Sequence, residues 1–214
     1  MTTFIKKLIA EGEHQQLDFK FSINDSRKIA RSLGAFANTD GGRLLVGVKD
    51  NGIIAGVRSE EEYYMVEAAA QMYTRPEVKF DVHEWNVEGK KVLEVIVPKS
   101  KQKPHYVQDH DGSWLVYISV NDQNLLANKT LLKVWKRKES NRGTYIKYSE
   151  KEKTLLKYLE IYSTITLSEF MEIADISKFK AETILVNLIV LDIIEMHISE
   201  KGVYYKLTEE FSNS

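Results

Sequence analysis

The sequence contains no cysteine among its 214 residues. A disulfide, a thiolate zinc site, a cysteine nucleophile and a redox dithiol are therefore excluded, and any catalytic metal would have to be held by carboxylates. No stretch approaches the ~18 consecutive apolar residues of a spanning helix, and the opening MTTFIKKLIAEGEH has neither the apolar centre nor the small-residue cleavage site of a secretory leader. A cytoplasmic protein with no membrane partner is expected. There is no GxxxxGK[ST] phrase, and Gly41-Gly42 precedes a strand rather than joining a strand to a helix, so ATP hydrolysis on a P-loop is not expected. The five histidines, His14, His83, His105, His110 and His197, show no HxxxH spacing, which argues against a zinc enzyme. Excess charge is also missing. Thirty Lys and Arg face 31 Asp and Glu, a net charge of -1, which argues against coating nucleic acid by bulk electrostatics. A chain this long buries roughly 70% of its unfolded surface and accommodates one large domain or two small ones.

The charge is unevenly placed. Residues 150–214 hold seven basic and twelve acidic residues, and residues 1–149 hold 23 basic and 19 acidic, so a net of -5 follows a net of +4. The stretch KTLLKVWKRKESNRGTYIKYSEKEK, residues 129–153, sets nine Lys or Arg against three Glu. It reads either as a solvated helix end and linker or as a contact for a polyanion.

Residues 25–38 carry Ile29, Ala30, Leu33, Phe36 and Ala37 at helical spacing, with Asp25 or Ser26 as cap and Arg27, Lys28 and Arg31 on the other face. Thr39-Asp40-Gly41-Gly42 ends this helix. RLLVGVKD then reads as a buried strand that turns at Asp50-Asn51-Gly52. Tyr63 to Tyr73 is expected to be helical. FDVHEWNV, KVLEVIVP and WLVYISV are expected to be strands, the first two joined at Glu88-Gly89, and Leu125 to Lys138 a helix. Beyond residue 149, three helices and a hairpin about Glu200-Lys201-Gly202 have the winged helix-turn-helix order. The expected fold is α+β: a mixed-sheet domain over residues 1–138, a basic linker over 139–148 and a winged-helix domain over 149–214.

Leu17, Phe19 and Phe21 alternate with Asp18 and Lys20, which places the carboxylate and the ammonium on one polar face of a strand. With Glu13 nearby and Asp50 ending the next strand, these acids could hold Mg²⁺ or Mn²⁺, or they could be a surface ion pair and a hairpin turn. The loop from Lys99 through Lys101, Lys103 and His105 to Tyr106 offers three lysines and two rings that could stack on an unpaired base. Bare backbone N–H groups at Gly41-Gly42 could meet a phosphate oxygen. The third helix of the last domain begins with Ser177, Lys178 and Lys180 and then runs apolar except for Asn187, which favours dimer or partner contact over base reading.

GEHQQLDFK, GAFANTDGGRLLVGVKDNGIIAGV, VEGKKVLEVIVPKSKQKPHYV and VYISVNDQNLLAN together resemble the Schlafen AlbA-like, or divergent AAA-type, domain over about residues 8 to 130. Phe36, Ala37, Asn38, Thr39, Gly41 and Gly42 form the most specific phrase. The resemblance implies a nucleic-acid-binding regulator, often with a C-terminal winged helix. Eukaryotic relatives include endoribonucleases that use three acids and a divalent metal. Carried onto this chain, those acids fall on Glu13, Asp18 and Asp50. Two positions depart from the family pattern: Asp18 replaces a Glu, and Ser119 follows Tyr117-Ile118 where an Arg is common.

The expectation is a DNA-binding transcriptional regulator, homodimeric, without cofactor, and with DNA favoured over RNA. Its phosphate contacts are expected at Lys20, Arg27, Lys28, Arg31, Lys99, Lys101, Lys103, Lys133, Lys136, Arg137, Lys138 and Arg142, with His105 and Tyr106 beside them. A metal-dependent endoribonuclease acting on structured RNA and a protein-interaction adaptor are the alternatives.

Overall fold

The computed structural model describes residues 2–57, 59–140 and 148–212. The contacts divide the chain into two units, Met1–Ala127 and Asn128–Ser214.

In the first unit the elements run α1 (Thr2–Glu11), β1 (Leu17–Lys20), α2 (Ser26–Asn38), β2 (Gly42–Val46), α3 (Glu61–Tyr73), β3 (Thr74–Arg75), β4 (Asp81–Val87) and β5 (Lys90–Val97). Four short strands follow: β6 (Tyr106–Gln108), β7 (Trp114–Leu115), β8 (Tyr117–Val120) and β9 (Gln123–Leu126). The main sheet has the order β1-β2-β5-β4, with β1 parallel to β2 and the other pairs antiparallel. Asp25 caps α2 as expected, its carboxylate accepting from Arg27 N at 2.9 Å. Glu88 and Gly89 turn β4 into β5 with φ of 55° and 76°, the conformation a two-residue hairpin needs.

Both faces of the main sheet are covered, which explains the near-continuous apolar run of RLLVGV. Leu17, Phe19, Leu45, Val87 and Val92 pack with Ile5 and Leu8 of α1. Leu44, Val46, Leu93, Val95 and Val97 pack on the opposite side with Leu33, Phe36, Val66 and Ala70 of α2 and α3. Because side chains alternate along a strand, Asp18 and Lys20 project to the α2 side, not to an open surface. Phe21 lies beyond the end of β1 and is 40% exposed, so it does not join Leu17 and Phe19 in the core.

Two other expectations shift. WLVYISV divides at Val116: β7 joins a three-stranded sheet β3-β6-β7, while β8 pairs with β9. Leu125 and Leu126 belong to β9, and the helix begins later, after Asn128, whose side chain accepts from Leu131 N at 2.8 Å.

The second unit comprises α4 (Lys129–Glu139), α5 (Glu150–Tyr162), α6 (Leu167–Ala174), α7 (Lys178–Val190), the hairpin β10 (Ile194–Ser199) and β11 (Gly202–Leu207), and α8 (Glu209–Ser212). Capping boxes at Ser149/Glu152 and Thr166/Glu169 start α5 and α6. Leu155, Leu159, Phe170, Leu185, Leu188 and Tyr205 form its core, joined by Val134 of α4. The expected helix-helix-helix-hairpin order is therefore present, with one addition: α4 packs along α7. The boundary by contacts falls at residue 127, ahead of the one expected after 138, because Val134 and Thr130 are buried in this second unit. Among the described residues no helix is long and apolar enough to cross a membrane.

Candidate nucleic-acid interface

The phrase FANTDGG forms a clasp at the end of α2. Asn38 is 1% exposed, and its side chain accepts from His105 N at 2.8 Å and donates to the carbonyls of His105 and Tyr117, each at 2.9 Å. Thr39 Oγ1 donates to Ala35 O and accepts from Ser119 N, both at 2.8 Å. Gly41 has φ +77°, and a Cβ there would stand 2.7 Å from Val97 O and 2.8 Å from Lys99 N. A Cβ on Gly42 would meet the Phe36 ring at 2.4 Å. The N–H groups of Thr39 and Gly41 both donate to Phe36 O, at 3.1 and 2.9 Å, so they are not bare groups awaiting a phosphate. A cleft of about 340 Å³ does open beside Asp40, Gly41, Gly42, Arg43 and Lys99. The Asp40 carboxylate on it accepts from Lys99 Nζ at 2.8 Å and Gln15 Nε2 at 3.0 Å.

The lysine loop is tied to this clasp. Lys103 Nζ donates to Thr39 O at 2.8 Å, and burial pushes its pKa below the usual lysine value. His105 is 4% exposed, with Nδ1 2.8 Å from Pro76 O and Nε2 2.8 Å from Ser100 Oγ. Both ring nitrogens and both ring faces are thus taken up inside the protein. The expectation that His105 stacks on a base is corrected: it fastens the loop instead. Burial also pushes its pKa down. Lys101 and Tyr106 remain exposed.

Glu13 and Asp18 come together. Asp18 Oδ1 accepts from Lys20 Nζ at 2.5 Å, and Oδ2 accepts from Ser32 Oγ of α2 at 2.9 Å. Glu13 Oε1 accepts from Phe19 N at 2.9 Å. Burial, reinforced by the neighbouring Asp18 carboxyl, raises the Glu13 pKa above the usual range against the pull of that N–H. Asp50 is exposed in its turn, and among the described residues no three His, Cys, Asp or Glu side chains form a group that could hold a metal ion. The three-acid arrangement is therefore not assembled. Asp18 is matched by a lysine and a hydroxyl, a donor set that does not fit Mg²⁺ or Mn²⁺.

Of the expected α2 cations, Arg31 pairs with Asp109 at 2.5 Å and Arg27 lies 4.7 Å over the Tyr73 ring, while Lys28 is exposed. Ser119, where a cation is common in relatives, is 4% exposed and donates to Gln15 O at 2.6 Å.

A second group of cations belongs to the second unit. On α4, Lys133 donates to the buried Glu182 of α7, Lys138 pairs with Asp192 at 3.3 Å, and Lys136 is exposed beside Arg137. Lys133, Lys136, Arg137 and Ser140 line one side of a groove of about 350 Å³, with Thr183, Val186 and Asn187 of α7 on the other. Arg142 lies outside the described residues. Recounted at the contact boundary, residues 1–127 hold 16 basic and 18 acidic residues, and residues 128–214 hold 14 and 13. The net charges become -2 and +1, so the basic excess travels with α4 and the segment after it. Division of the sequence at residue 150 places that excess in the first domain instead. The signal that could have moved it is Asn128, a good N-cap placed just before the basic run.

A model of the family described as Schlafen, AlbA_2 matches residues 13–144, and a PCI domain model matches residues 127–204. No curated protein matches the chain. Among solved structures, the DIP2311 protein from Corynebacterium diphtheriae is 20% identical with a TM-score of 0.42, covering 61% of this chain and 29% of its own. The N-terminal domain of an ATP-dependent DNA helicase RecG-related protein from Nitrosomonas europaea is 22% identical with a TM-score of 0.39, covering 58% of this chain and 95% of its own. The chain thus spans less than a third of the length of the Corynebacterium protein.

Proposed function

The chain belongs to the Schlafen AlbA_2 family, a membership that points to nucleic-acid binding, and on that premise we propose that it is a DNA-binding transcriptional regulator. The observation that carries this reading is the open groove between α4 and α7, where Lys136 and Arg137 face Thr183 and Asn187. Cations spaced along a helix suit successive phosphates, and a neighbouring amide and hydroxyl suit a backbone or base edge. The second unit acts as a winged helix whose third helix, α7, is partly covered by α4. Contact with the backbone therefore dominates over base reading. A homodimer would set two such grooves on one duplex.

The test is fluorescence anisotropy with labelled duplex DNA over a series of salt concentrations. Affinity is expected to fall with salt, with a slope of about 0.9 per neutralised phosphate, and Lys136→Ala with Arg137→Ala should make the slope shallower by up to about two such units. Salt-independent binding, or none, overturns the reading. The same protein incubated with structured RNA and Mn²⁺ should leave the RNA intact. Cleavage abolished by Asp18→Ala would instead establish the endoribonuclease reading.

A further inference from the structure

The outer face of the β3-β6-β7 sheet carries a set of side chains that neither the fold nor the α4 groove uses. Arg75 lies opposite Tyr106, and Gln108 lies opposite Trp114. Residues directly opposite in antiparallel strands share a face, so these four project together, while Thr74, Val107 and Leu115 turn toward the core. From β3 the Arg75 side chain reaches across the central strand β6, and its guanidinium carbon stands 4.2 Å over the centre of the Trp114 ring. Tyr106 is 41% exposed.

Among the described residues, the side chains of Arg75, Tyr106, Gln108 and Trp114 make no hydrogen bond or ion pair with the rest of the protein. The nearby acids are already engaged. Asp109 accepts from Arg31 and from His110 N, which hold its pKa below the usual value, and Asp111 accepts from Ser113 N at 2.9 Å. The Arg75 charge is therefore left unneutralised on an aromatic surface. His105, through Pro76 O, fastens the start of β6 and the loop bearing Lys101 to the residue that follows Arg75.

We propose that this face is a stacking platform for the unpaired bases of a single-stranded nucleic acid. Two aromatic rings supply π surfaces, a guanidinium already seated on one ring supplies a cation that stacks and attracts phosphate, and the Gln108 amide supplies a donor and an acceptor for a base edge. A bare charge of this kind favours a polyanion over an apolar peptide. The proposal rests on the nucleic-acid-binding reading and adds to it the form of nucleic acid that the first unit takes.

The experiment compares the full chain with its variants by anisotropy on three labelled probes: a dT oligonucleotide of about 12 residues, a U oligonucleotide of the same length and a duplex. Tyr106→Ala and Trp114→Ala are each expected to weaken single-strand binding about tenfold or more, whereas Tyr106→Phe and Trp114→Phe stay within about threefold, and duplex binding is unchanged throughout. Circular dichroism and thermal unfolding confirm that each variant is folded. The Phe variants keep a ring on the strand, so a loss confined to the Ala variants reads the ring itself. Binding of either single strand with this pattern supports the platform. Single-strand affinity that does not respond to Tyr106→Ala and Trp114→Ala overturns it. Duplex bound without single strand also overturns it while leaving the proposed function standing, and binding to none of the probes removes both.

Discussion

The side chain of Asn38 satisfies both backbone groups of His105, accepting from its N–H at 2.8 Å and donating to its carbonyl at 2.9 Å. The amide thereby joins the end of α2 to a loop far along the chain, in a site closed to water. Truncating it to Ala leaves the His105 N–H and carbonyl and the Tyr117 carbonyl without this partner. Since an unmet buried group costs ~1–3 kcal/mol, Asn38→Ala should destabilise the first unit by about 3 kcal/mol or more, read as a lower urea midpoint with the second unit's transition unmoved. Asn38→Asp, which keeps the acceptor and loses the donor, should unfold at a comparably low midpoint because it adds a buried charge.

Gly41 and Gly112 both have positive φ, but only Gly41 is crowded by backbone, whereas nothing lies within 4 Å of a Cβ on Gly112. Substitution by Ala should cost about 1 kcal/mol at Gly112, the conformational term alone. At Gly41 the loss should be clearly larger, because Val97 O and Lys99 N must move as well. Equal losses in thermal unfolding would show that crowding plays no part.

Lys133 on α4 neutralises Glu182 on α7, whose side chain is only 8% exposed. Removing the lysine strands a buried carboxylate, so Lys133→Met should lower the stability of the second unit by about 2 kcal/mol, tempered by the partial exposure of the lysine itself. Lys133→Met combined with Glu182→Leu should recover most of that loss. A double-mutant cycle by chemical denaturation measures the coupling.

His105 and Glu13 give the first unit opposite dependences on pH. Burial depresses the His105 pKa, so the folded state takes up a proton less readily than the unfolded one, and stability falls as pH drops below the usual histidine value of about 6.5. Burial raises the Glu13 pKa, so the folded state holds a proton longer, and stability falls as pH rises through the window above the usual carboxylate range. Glu13→Gln keeps an acceptor for Phe19 N and removes the second dependence. It should match or exceed the wild type in urea midpoint at pH 7 and lose that advantage near pH 4.

Much of the chain could be read from local chemistry. Asp25, Ser149 and Thr166 announce helix starts because each places an oxygen over an otherwise unpaired N–H, and Glu88-Gly89 announces a hairpin because both residues must take positive φ. The family phrase around FANTDGG was also legible as a resemblance, and its match over residues 13–144 bears that out. Glu13 and Asp18 could be singled out as a pair, since the turn between them is short. Their surroundings could not be, because strand alternation gives two faces without saying which one α2 will cover.

The sequence by itself therefore determined most of the helices and main-sheet strands, several helix caps, the α+β class and the absence of any thiol chemistry, since each follows from residues close together in the chain or from composition. Tertiary structure alone decided that Asp18 lies beneath Ser32, that His105 is a buried fastener while Tyr106 faces outward, and that the cations of α4 belong with α7. Those outcomes depend on long-range register and on which apolar faces meet. A polar side chain carries no mark of whether the partner that satisfies it comes from solvent or from a residue many positions away.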